Sequence, residues 1–448
     1  MPLKKYNQIM SKIHLSPYEI ILKKRNGGNL SGREIDFMVR GFNKGLIPSY
    51  QLSALLMAIF FRGMSETEVF SLTKSMMNSG EVLNLSRLSR NTVDKHSTGG
   101  IGDKVSIILA PLVAAGGITV PMMCGRSLGH TGGTIDKLES IPGFRTNLSK
   151  NDFFRFLKKS KVAMIGQTEK IAPADKKIYA LRDVTATVES IPLIAASIMS
   201  KKLAEGANAL LLDVKTGNGA FIKDIRNSEK LALLMVKIAK NMKRKCAAII
   251  TDMNQPLGYA IGNSLEIKEC IEILKGRGPE DLKSLCIEFA AHMFLLGKRV
   301  KNIQSGKIRA LQLIKDGSAF KKLCEMAKNQ GGSVKSLENP SLLPSSKYAC
   351  RLKSPRKGYI KDINTHEIGL TAVMTGAGRK DLSSKIDPGA GIILHKKIGD
   401  FTDKGETLAT IYTSRQNIMV YAKERLLDSF SVSKTRPAKQ KLIYKIIR

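Results

Sequence analysis

Two glycine-rich stretches of this chain carry residue types suited to binding a small anion. Residues 94–103 place a lysine, a histidine and a serine just before a run of glycines, and residues 125–137 combine glycines with hydroxyls and a basic residue. Glycine lets the backbone approach a ligand closely, successive amides can form an anion-binding concavity, and lysine and hydroxyl groups add donors. Neither stretch matches the P-loop or the dinucleotide-binding pattern. The sequence therefore predicts a cradle for a small oxyanion, phosphate first.

A third group of residues suited to chemistry lies within residues 179–202 and includes Arg182. Arginine can hydrogen-bond a planar carbonyl or carboxylate through its fork of donors. The segment from Ile191 to Ser200 is predicted to be helical, so Ser197 and Lys201, four residues apart, share one face. Taken alone, Arg182 is better explained by a surface ion pair with an acidic neighbour.

The elements that must position these residues can be predicted from hydrophobic spacing. The first 80 residues predict a helical bundle, with capping boxes that begin at Ser31 and Ser65. From about residue 91, strand-like and helical stretches alternate, which indicates a largely parallel sheet with ligands beyond the carboxyl ends of its strands. The predicted strands are 162–165, 209–212 and 247–250, the helices are 227–240 and 263–274, and the loops expected to line the site are 213–219 and 252–258.

The rest of the chain completes the predicted fold class. Glycines and prolines in residues 330–346 predict a linker, and the glycine-broken runs that follow predict a small β-rich C-terminal domain. The chain is thus expected to be an α/β protein with a separate all-helical domain, a mixed or parallel sheet in the α/β domain, and a C-terminal α+β domain.

Composition excludes several classes of protein. Hydrophobic residues make up 43% of the 448 residues and charged residues 25%, as in a soluble globular protein. The six cysteines show no paired metal-binding spacing, which fits a protein of the reducing cytoplasm. The uncharged segment from Val105 to Gly125 is interrupted by prolines and glycines, so a buried helix and strand explain it better than a membrane span.

The net charge of +35 raises the question of nucleic-acid binding. A lysine-rich surface explains it better, since the chain has no aromatic-interleaved basic motif and no zinc-finger or RNA-recognition signature. We expect no specific nucleic-acid partner and no membrane partner. The basic tail from Ser431 to Arg448 could touch polyanions without specificity.

Together these motifs resemble the thymidine/pyrimidine nucleoside phosphorylase family. The matching stretches occur in family order from about residue 16 to the 420s, and they are 95–100, 125–139, 179–187, 197–202, 252–258 and 391–399. The resemblance implies cleavage of a pyrimidine nucleoside by inorganic phosphate, with no organic cofactor, to give the free base and (2-deoxy)-α-ribose 1-phosphate. It also implies a homodimer that forms through the helical domain, and a cleft between that domain and the α/β domain that closes on both substrates.

The resemblance also suggests domain boundaries. The helical dimerisation domain is expected to be discontinuous, with residues 15–80 and 175–205. The α/β phosphate-binding domain is expected over residues 91–165 and 208–335, and the C-terminal domain over residues 346–448.

By the same resemblance, phosphate ligands are expected at Lys95, Ser97, Ser106 and Thr134. The family has a further phosphate-binding serine where this chain has Cys124. A thiol is a weaker donor than a hydroxyl, so we expect a raised KM for phosphate.

Pyrimidine ligands are expected at Arg182, Ser197 and Lys201, and His96 is expected to donate toward the base O2. The catalytic residues would be His96, Arg182 and Lys201, which stabilise the negative charge that develops on the leaving base. His130 is expected to serve in packing or in a hinge hydrogen bond rather than in chemistry.

Some family members bind a monovalent cation, and the resemblance implies a K⁺ site near Gly102, Lys104, Leu257, Ala260 and Glu269. Backbone carbonyls and one carboxylate are ligands that suit a hard cation.

Substrate preference is predicted from Met122. Members that accept uridine tend to have a lysine at this position, able to meet the ribose 2′-hydroxyl, whereas a thioether offers no donor. We therefore expect thymidine and deoxyuridine to be preferred over uridine, with broad pyrimidine use as the alternative.

Two more distant alternatives stay open. Anthranilate phosphoribosyl transfer, on a related fold, would require acidic metal-binding motifs and would not need the three predicted base ligands. A basic nucleic-acid-binding protein without catalysis would rest on the net charge and on Cys124.

Overall fold

The structure is a computed structural model that describes residues 15–448, except residues 87, 90, 127–131 and 380–383. The prediction for His130 lies outside the described residues. All six cysteines are described, and each is a free thiol.

The helices are numbered here in chain order. They are α1 (Pro17–Arg25), α2 (Gly32–Asn43), α3 (Ser49–Arg62), α4 (Glu66–Met77), α5 (Val105–Ala115), α6 (Thr134–Glu139), α7 (Lys150–Ser160), α8 (Pro173–Val184), α9 (Ile191–Ala204), α10 (Ile225–Asn241), α11 (Asn263–Leu274), α12 (Glu280–Leu296), α13 (Ile303–Lys315), α14 (Ser318–Asn329), α15 (Val334–Glu338), α16 (Thr365–Ala372) and α17 (Met419–Asp428).

The strands are numbered in the same way. They are β1 (Val93–Ser97), β2 (Val120–Cys124), β3 (Val162–Gly166), β4 (Ala209–Thr216), β5 (Lys245–Asp252), β6 (Ala260–Ile261), β7 (Tyr348–Lys353), β8 (Gly358–Ile363), β9 (Gly391–Leu394), β10 (Phe401–Thr402), β11 (Thr407–Thr413), β12 (Phe430–Ser433) and β13 (Ile443–Ile447).

The chain divides into two compact units. The helical unit comprises the described residues up to Asn84 together with Thr168–Gly206 and Leu233–Arg244. The other unit comprises Leu85–Gln167, Ala207–Ala232 and Lys245–Arg448, so the β-rich C-terminal region belongs to the same compact unit as the α/β sheet.

A buried ion pair organises the helical unit. Both predicted capping boxes are confirmed, and in the second one the Glu68 carboxylate accepts from the backbone N–H of Ser65 at 2.7 Å. The same carboxylate accepts from the Lys24 ammonium at 2.7 Å and from the Leu30 N–H at 2.8 Å, and neither charged side chain is more than 2% exposed. Glu68 therefore ties α4 to α1 and to the turn before α2.

The α/β unit is built on parallel strands. In the main sheet, β1, β4 and β5 are parallel neighbours and β13 is antiparallel at the edge, while β2 and β3 form a second parallel pair. A parallel bridge between Thr92 and Thr119 joins the pair to β1, which gives the spatial order β3-β2-β1-β4-β5-β13. The carboxyl ends of β1 to β5 therefore meet at one edge, where parallel sheets bind their ligands.

The predicted strands and helices of this unit are confirmed, and two predictions need correction. The strand predicted at 209–212 continues to Thr216, so the first part of the expected loop 213–219 is strand. The expected linker at 330–346 contains α15 and packs closely: the buried Gln330 side chain donates to the carbonyls of Met164 and Arg145, both at 2.8 Å.

The C-terminal region is β-rich, as predicted. Two antiparallel sheets, ordered β10-β8-β12 and β6-β9-β11-β7, are accompanied by α16 and α17. The end of the basic tail forms β13, where the Tyr444 hydroxyl donates to Asp252 at 2.8 Å and Lys445 pairs with Glu229 at 2.9 Å.

The uncharged segment from Val105 to Gly125 folds as the buried helix α5 and the strand β2, as expected. Among the described residues, no helix is both long enough and apolar enough to cross a bilayer.

We expect Glu68→Gln to lower the free energy of unfolding by about 3 kcal/mol, because it leaves the Lys24 ammonium buried without its counter-charge. Chemical denaturation at pH 7 measures this loss. Glu66→Gln on the same helix is the matched control: Glu66 pairs with Lys237, both side chains are about half exposed, and the loss should stay below about 1 kcal/mol. Equal losses in the two variants would contradict the prediction.

The same pair predicts a pH dependence. Burial alone would raise the pKa of Glu68, but the Leu30 N–H and the Lys24 ammonium outweigh it and lower that pKa. A carboxyl whose folded-state pKa is lowered stabilises the fold above its unfolded pKa and loses that contribution as the pH falls. The difference between wild type and Glu68→Gln should therefore shrink below pH ~4.5.

Candidate active site

Three of the predicted phosphate ligands meet at the carboxyl end of β1. Lys95 and Ser97 project from the same face of β1, since side chains alternate along a strand. The Lys95 ammonium donates to the Ser106 hydroxyl at 3.3 Å, and the Ser97 hydroxyl donates to the Asp103 carboxylate at 2.5 Å. Lys95 is also 3.2 Å from the Asp213 carboxylate. The structure thus brings Lys95, Ser97 and Ser106 into one cluster.

The cluster contains a second lysine, Lys215, which the sequence motifs did not single out. Lys215 lies on β4, where its ammonium is 2.8 Å from Asp213, and both side chains are buried. Asp213 is paired in register with Ser97, and its carboxylate also accepts from the Thr251 hydroxyl at 2.7 Å. Two lysines and two carboxylates therefore compensate one another at the ends of β1 and β4.

The charges of this cluster hold one another in the ionised state. Burial alone would raise the pKa of Asp103, but Lys215 and Lys95 outweigh it and hold that pKa far below its usual range. Burial would likewise lower the pKa of Lys215, but Asp103 and Asp213 raise it. Asp103 and Lys215 are therefore held in their charged forms.

The pairing of buried charges also explains why residues 213–216, which were predicted to be a loop, form part of a strand. Charged side chains suggested that the strand had ended, yet Asp213 and Lys215 continue it because their charges are paired inside the sheet. Their spacing of two places them on one face of a strand, and this was the signal available in the sequence.

The second glycine-rich stretch lies at the neighbouring strand end. β2 ends at Cys124, and the Gly125 carbonyl accepts from the Ile135 N–H at 3.3 Å, which brings the half-buried Cys124 and Thr134 close to each other. Lys137 on α6 donates to the Asp103 carbonyl at 2.9 Å. The two glycine-rich stretches are thus joined directly through Lys137.

Met122 and His96 differ in their surroundings. Met122 is fully buried on β2, in register with Met164, and both belong to the hydrophobic core of the unit. The side chain on which the substrate preference was predicted is therefore packed in the core. His96 is half-buried and projects from the face of β1 opposite to Lys95.

The predicted base ligands lie in the helical unit. Arg182 on α8 is 2% exposed, and its guanidinium donates to the carbonyls of Thr187, Val188 and Leu193 at 3.2, 2.6 and 3.2 Å. Arg182 is therefore buried and bonded to carbonyls, and the prediction that it forms a surface ion pair with an acidic neighbour is wrong for the part of the chain that the structure describes. These contacts use three of the five N–H donors of the guanidinium and fix its plane. Burial lowers the pKa of Arg182, but a guanidinium remains charged.

Ser197 and Lys201 share one face of α9, as predicted. The Lys201 ammonium donates to the Ser197 hydroxyl at 3.0 Å and pairs closely with Asp175 on α8. Asp175 is buried, and it was missed because no motif contained it; its place in the first turn of a helix that begins at Pro173 was the only signal. Burial raises the pKa of the neighbouring Tyr179 to about 12, so its hydroxyl stays neutral.

The residues expected to hold a monovalent cation are gathered, but Lys104 is not a ligand. Its fully buried ammonium donates to the carbonyls of Leu257 at 3.0 Å and Ala260 at 2.8 Å and pairs closely with Glu269. An ammonium has no lone pair and repels a second cation, so these residues do not fit bound K⁺. Among the described residues, no group of three or more His, Cys, Asp or Glu side chains is placed to hold a metal ion.

Comparison with known proteins agrees with this geometry. Residues 89–320 match the model described as the glycosyl transferase family, a/b domain, and residues 18–80 match the helical bundle domain of that family. Residues 359–433 match the pyrimidine nucleoside phosphorylase C-terminal domain. The chain belongs to this glycosyl transferase family. It is therefore an enzyme of the glycosyltransferase class, and the resemblance found in the sequence is confirmed.

Relatives within the family match along most of their length. The chain is 49% identical over 426 residues to a pyrimidine-nucleoside phosphorylase of Geobacillus stearothermophilus, which covers 95% of this chain and 98% of the relative. It is 50% identical over 400 residues to one of Bacillus subtilis, with coverages of 89% and 92%. An anthranilate phosphoribosyltransferase of Thermus thermophilus, only 16% identical, shares the fold with a TM-score of 0.58 over 69% of this chain and 99% of that one.

Proposed function

We propose that the chain catalyses the reversible phosphorolysis of pyrimidine nucleosides, with thymidine and phosphate giving thymine and 2-deoxy-α-D-ribose 1-phosphate. The observation that carries the proposal is the cluster of Lys95, Ser97 and Ser106 at the carboxyl end of β1. It occurs in a chain 49% identical to a pyrimidine-nucleoside phosphorylase over nearly its whole length.

Phosphate is assigned to this cluster, together with Thr134 and Cys124 from the second glycine-rich stretch. Lys95 supplies a charge, and the hydroxyls of Ser97 and Ser106 supply donors that can turn from their present partners to an anion. Asp103 and Asp213 raise the pKa of Lys215, and Asp213 also lies 3.2 Å from the Lys95 ammonium, so the two carboxylates stabilise the positive charge of the cluster.

The base is assigned to Arg182, Ser197 and Lys201. Phosphate oxygen attacks the anomeric carbon with inversion, and the bond from that carbon to the base nitrogen breaks with its electron pair going to the base. Arg182 and Lys201 stabilise the resulting negative charge, because their donors are already held in place by backbone carbonyls and by Asp175. His96, when protonated, donates toward the base O2.

Holding phosphate in line with the anomeric carbon is worth several kcal/mol, because it removes the entropic cost of bringing two reactants together. No organic cofactor enters this scheme. Inorganic phosphate is the co-substrate.

Thymidine and deoxyuridine are proposed as preferred substrates over uridine. Met122 offers no donor where members that accept uridine tend to have a lysine. Its side chain is buried in the core beside Met164, so it leaves a ribose 2′-hydroxyl without a partner rather than contacting it. The alternative within the same chemistry is a phosphorylase that accepts uridine equally well.

Phosphate-dependent release of free base from thymidine and from uridine, measured in parallel, tests activity and preference together. We expect kcat/KM for thymidine to exceed that for uridine by about tenfold, the effect of one buried hydroxyl without a partner. Equal kcat/KM values for the two nucleosides would refute the preference inferred from Met122 but would leave the proposed phosphorolysis intact. No release from either nucleoside, at any phosphate concentration, would refute the proposed function.

The assignment of the two substrates predicts a split in KM values. Ser97→Ala should raise the KM for phosphate about tenfold, since it removes one donor to a charged ligand, and Cys124→Ser should lower it about threefold. Ser197→Ala is the matched control and should raise the KM for thymidine instead. A change in the thymidine KM alone on Ser97→Ala would contradict the assignment.

A homodimer formed through the helical unit is part of the proposal. Among the described residues of this unit, five large apolar side chains are more than three-fifths exposed: Tyr18, Leu46, Tyr50, Phe61 and Val184. Exposed apolar groups of this size are typical of a surface that a partner covers.

Sedimentation analysis tests this surface. We expect wild type to sediment as a dimer and Phe61→Glu as a monomer, because the substitution would bury an unpaired charge in the interface. Tyr421→Glu on α17, a residue 68% exposed outside the helical unit, should leave the dimer intact. A monomeric wild type, or a dimeric Phe61→Glu variant, would refute the proposed interface.

A further inference from the structure

The ammonium of Lys104 sits in a cage of oxygen atoms. The carbonyls of Leu257 and Ala260 and one carboxylate oxygen of Glu269 accept from it, and it has no exposure to solvent. The other oxygen of Glu269 accepts from the N–H groups of Tyr259 at 2.9 Å and Ala260 at 3.2 Å. The carboxylate thus both orients the carbonyl segment and closes the cage.

Carbonyls combined with a carboxylate form a set of ligands that a hard monovalent cation would use. Here the chain supplies the positive charge itself. The backbone at the two neighbouring glycines leaves no room for a side chain: a Cβ at Gly258 would lie 3.1 Å from the Lys104 nitrogen, and a Cβ at Gly102 would lie 2.6 Å from the Leu257 carbonyl oxygen. The Lys104 ammonium itself is bonded to the carbonyls that a cation would need.

Lys104 lies between two parts of the phosphate cluster. It follows Asp103, which accepts from Ser97, and it precedes α5, which carries Ser106 in its first turn. The cage therefore anchors this segment to residues 257–260. The Leu257 N–H adds a further link, since it donates to the Ile101 carbonyl at 3.1 Å.

We propose that Lys104 is a positioning residue whose tethered ammonium takes the place of a monovalent cation, so that the enzyme holds its phosphate cluster in place without K⁺. The kinetic part of the test rests on the proposed function, whereas the thermal part does not.

The first experiment compares KCl with tetramethylammonium chloride at equal ionic strength, using the wild-type chain. The tetramethylammonium ion is too large to enter such a cage. We expect the Tm to differ by less than about 1 °C and the phosphorolysis rate by less than about twofold between the two salts. A higher Tm or a several-fold higher rate in KCl would show that the protein binds K⁺ and would overturn the proposal.

The second experiment uses two variants that remove the charge in different ways. Lys104→Ala opens space for an ion, so 100 mM KCl should raise its Tm by about 2 °C or more over tetramethylammonium and restore part of an approximately tenfold loss in kcat/KM for phosphate. Lys104→Met fills the cage with an uncharged side chain of similar length. KCl should therefore raise neither its Tm nor its kcat/KM for phosphate. Lys361→Ala, on an exposed lysine of β8, should behave as wild type in both salts.

Wild-type Tm and wild-type activity in both variants without K⁺ would overturn the positioning role. If the chain has no phosphorolytic activity, the Tm comparison still decides whether Lys104 replaces an ion. If Lys104→Ala does not fold in either salt, the comparison of the two salts on wild type decides alone.

Discussion

Compensation of buried charge is the constraint on which this structure depends. Moving a lone charge out of water costs several kcal/mol even after relaxation, so a buried lysine persists only where acceptors surround it. Lys95 and Lys215 meet this condition through Asp213 and Asp103, Lys24 through Glu68, and Lys104 through Glu269 and two carbonyls. The pairs Lys95–Asp213, Lys24–Glu68 and Lys104–Glu269 join segments far apart in the chain, so the same contacts that neutralise charge also set the geometry.

The buried pairs contribute nothing to the net charge of +35, because each lysine in them is matched by a carboxylate. The excess positive charge therefore lies on other residues and says nothing about the cluster. The basic tail illustrates the point, since Lys445 lies in β13 and pairs with Glu229. A formal charge becomes informative only when the position of each charged group is known.

The local elements could be predicted from the sequence because their causes are local. Apolar runs gave the strands β3, β4 and β5, serine–glutamate spacing gave the capping boxes, and a spacing of four placed Ser197 and Lys201 on one face. The family resemblance added the phosphate ligands, three of which the structure brings into one cluster.

Pairings over long distances could not be predicted. Lys104 and Leu257 are 153 residues apart, so no local pattern reveals that the lysine fills the cage. For the same reason Asp175, 26 residues from Lys201, was overlooked as its partner. Asp213 and Lys215 were taken for a loop because their charges were given more weight than their spacing of two, which is that of a strand. In each case the sequence showed a charged side chain, but its structural role depended on a partner that only the fold reveals.

The position of β13 has a consequence for folding. This strand covers the backbone of β5 from Ala248 to Thr251, although Tyr444 follows Asp252 by 192 residues. Synthesis proceeds from the N-terminus, so the edge of the main sheet stays open until β13 has been made and has paired with β5. An uncovered edge strand offers its hydrogen bonds to any other chain nearby. A chain that lacks β13 would therefore tend to associate with others through β5.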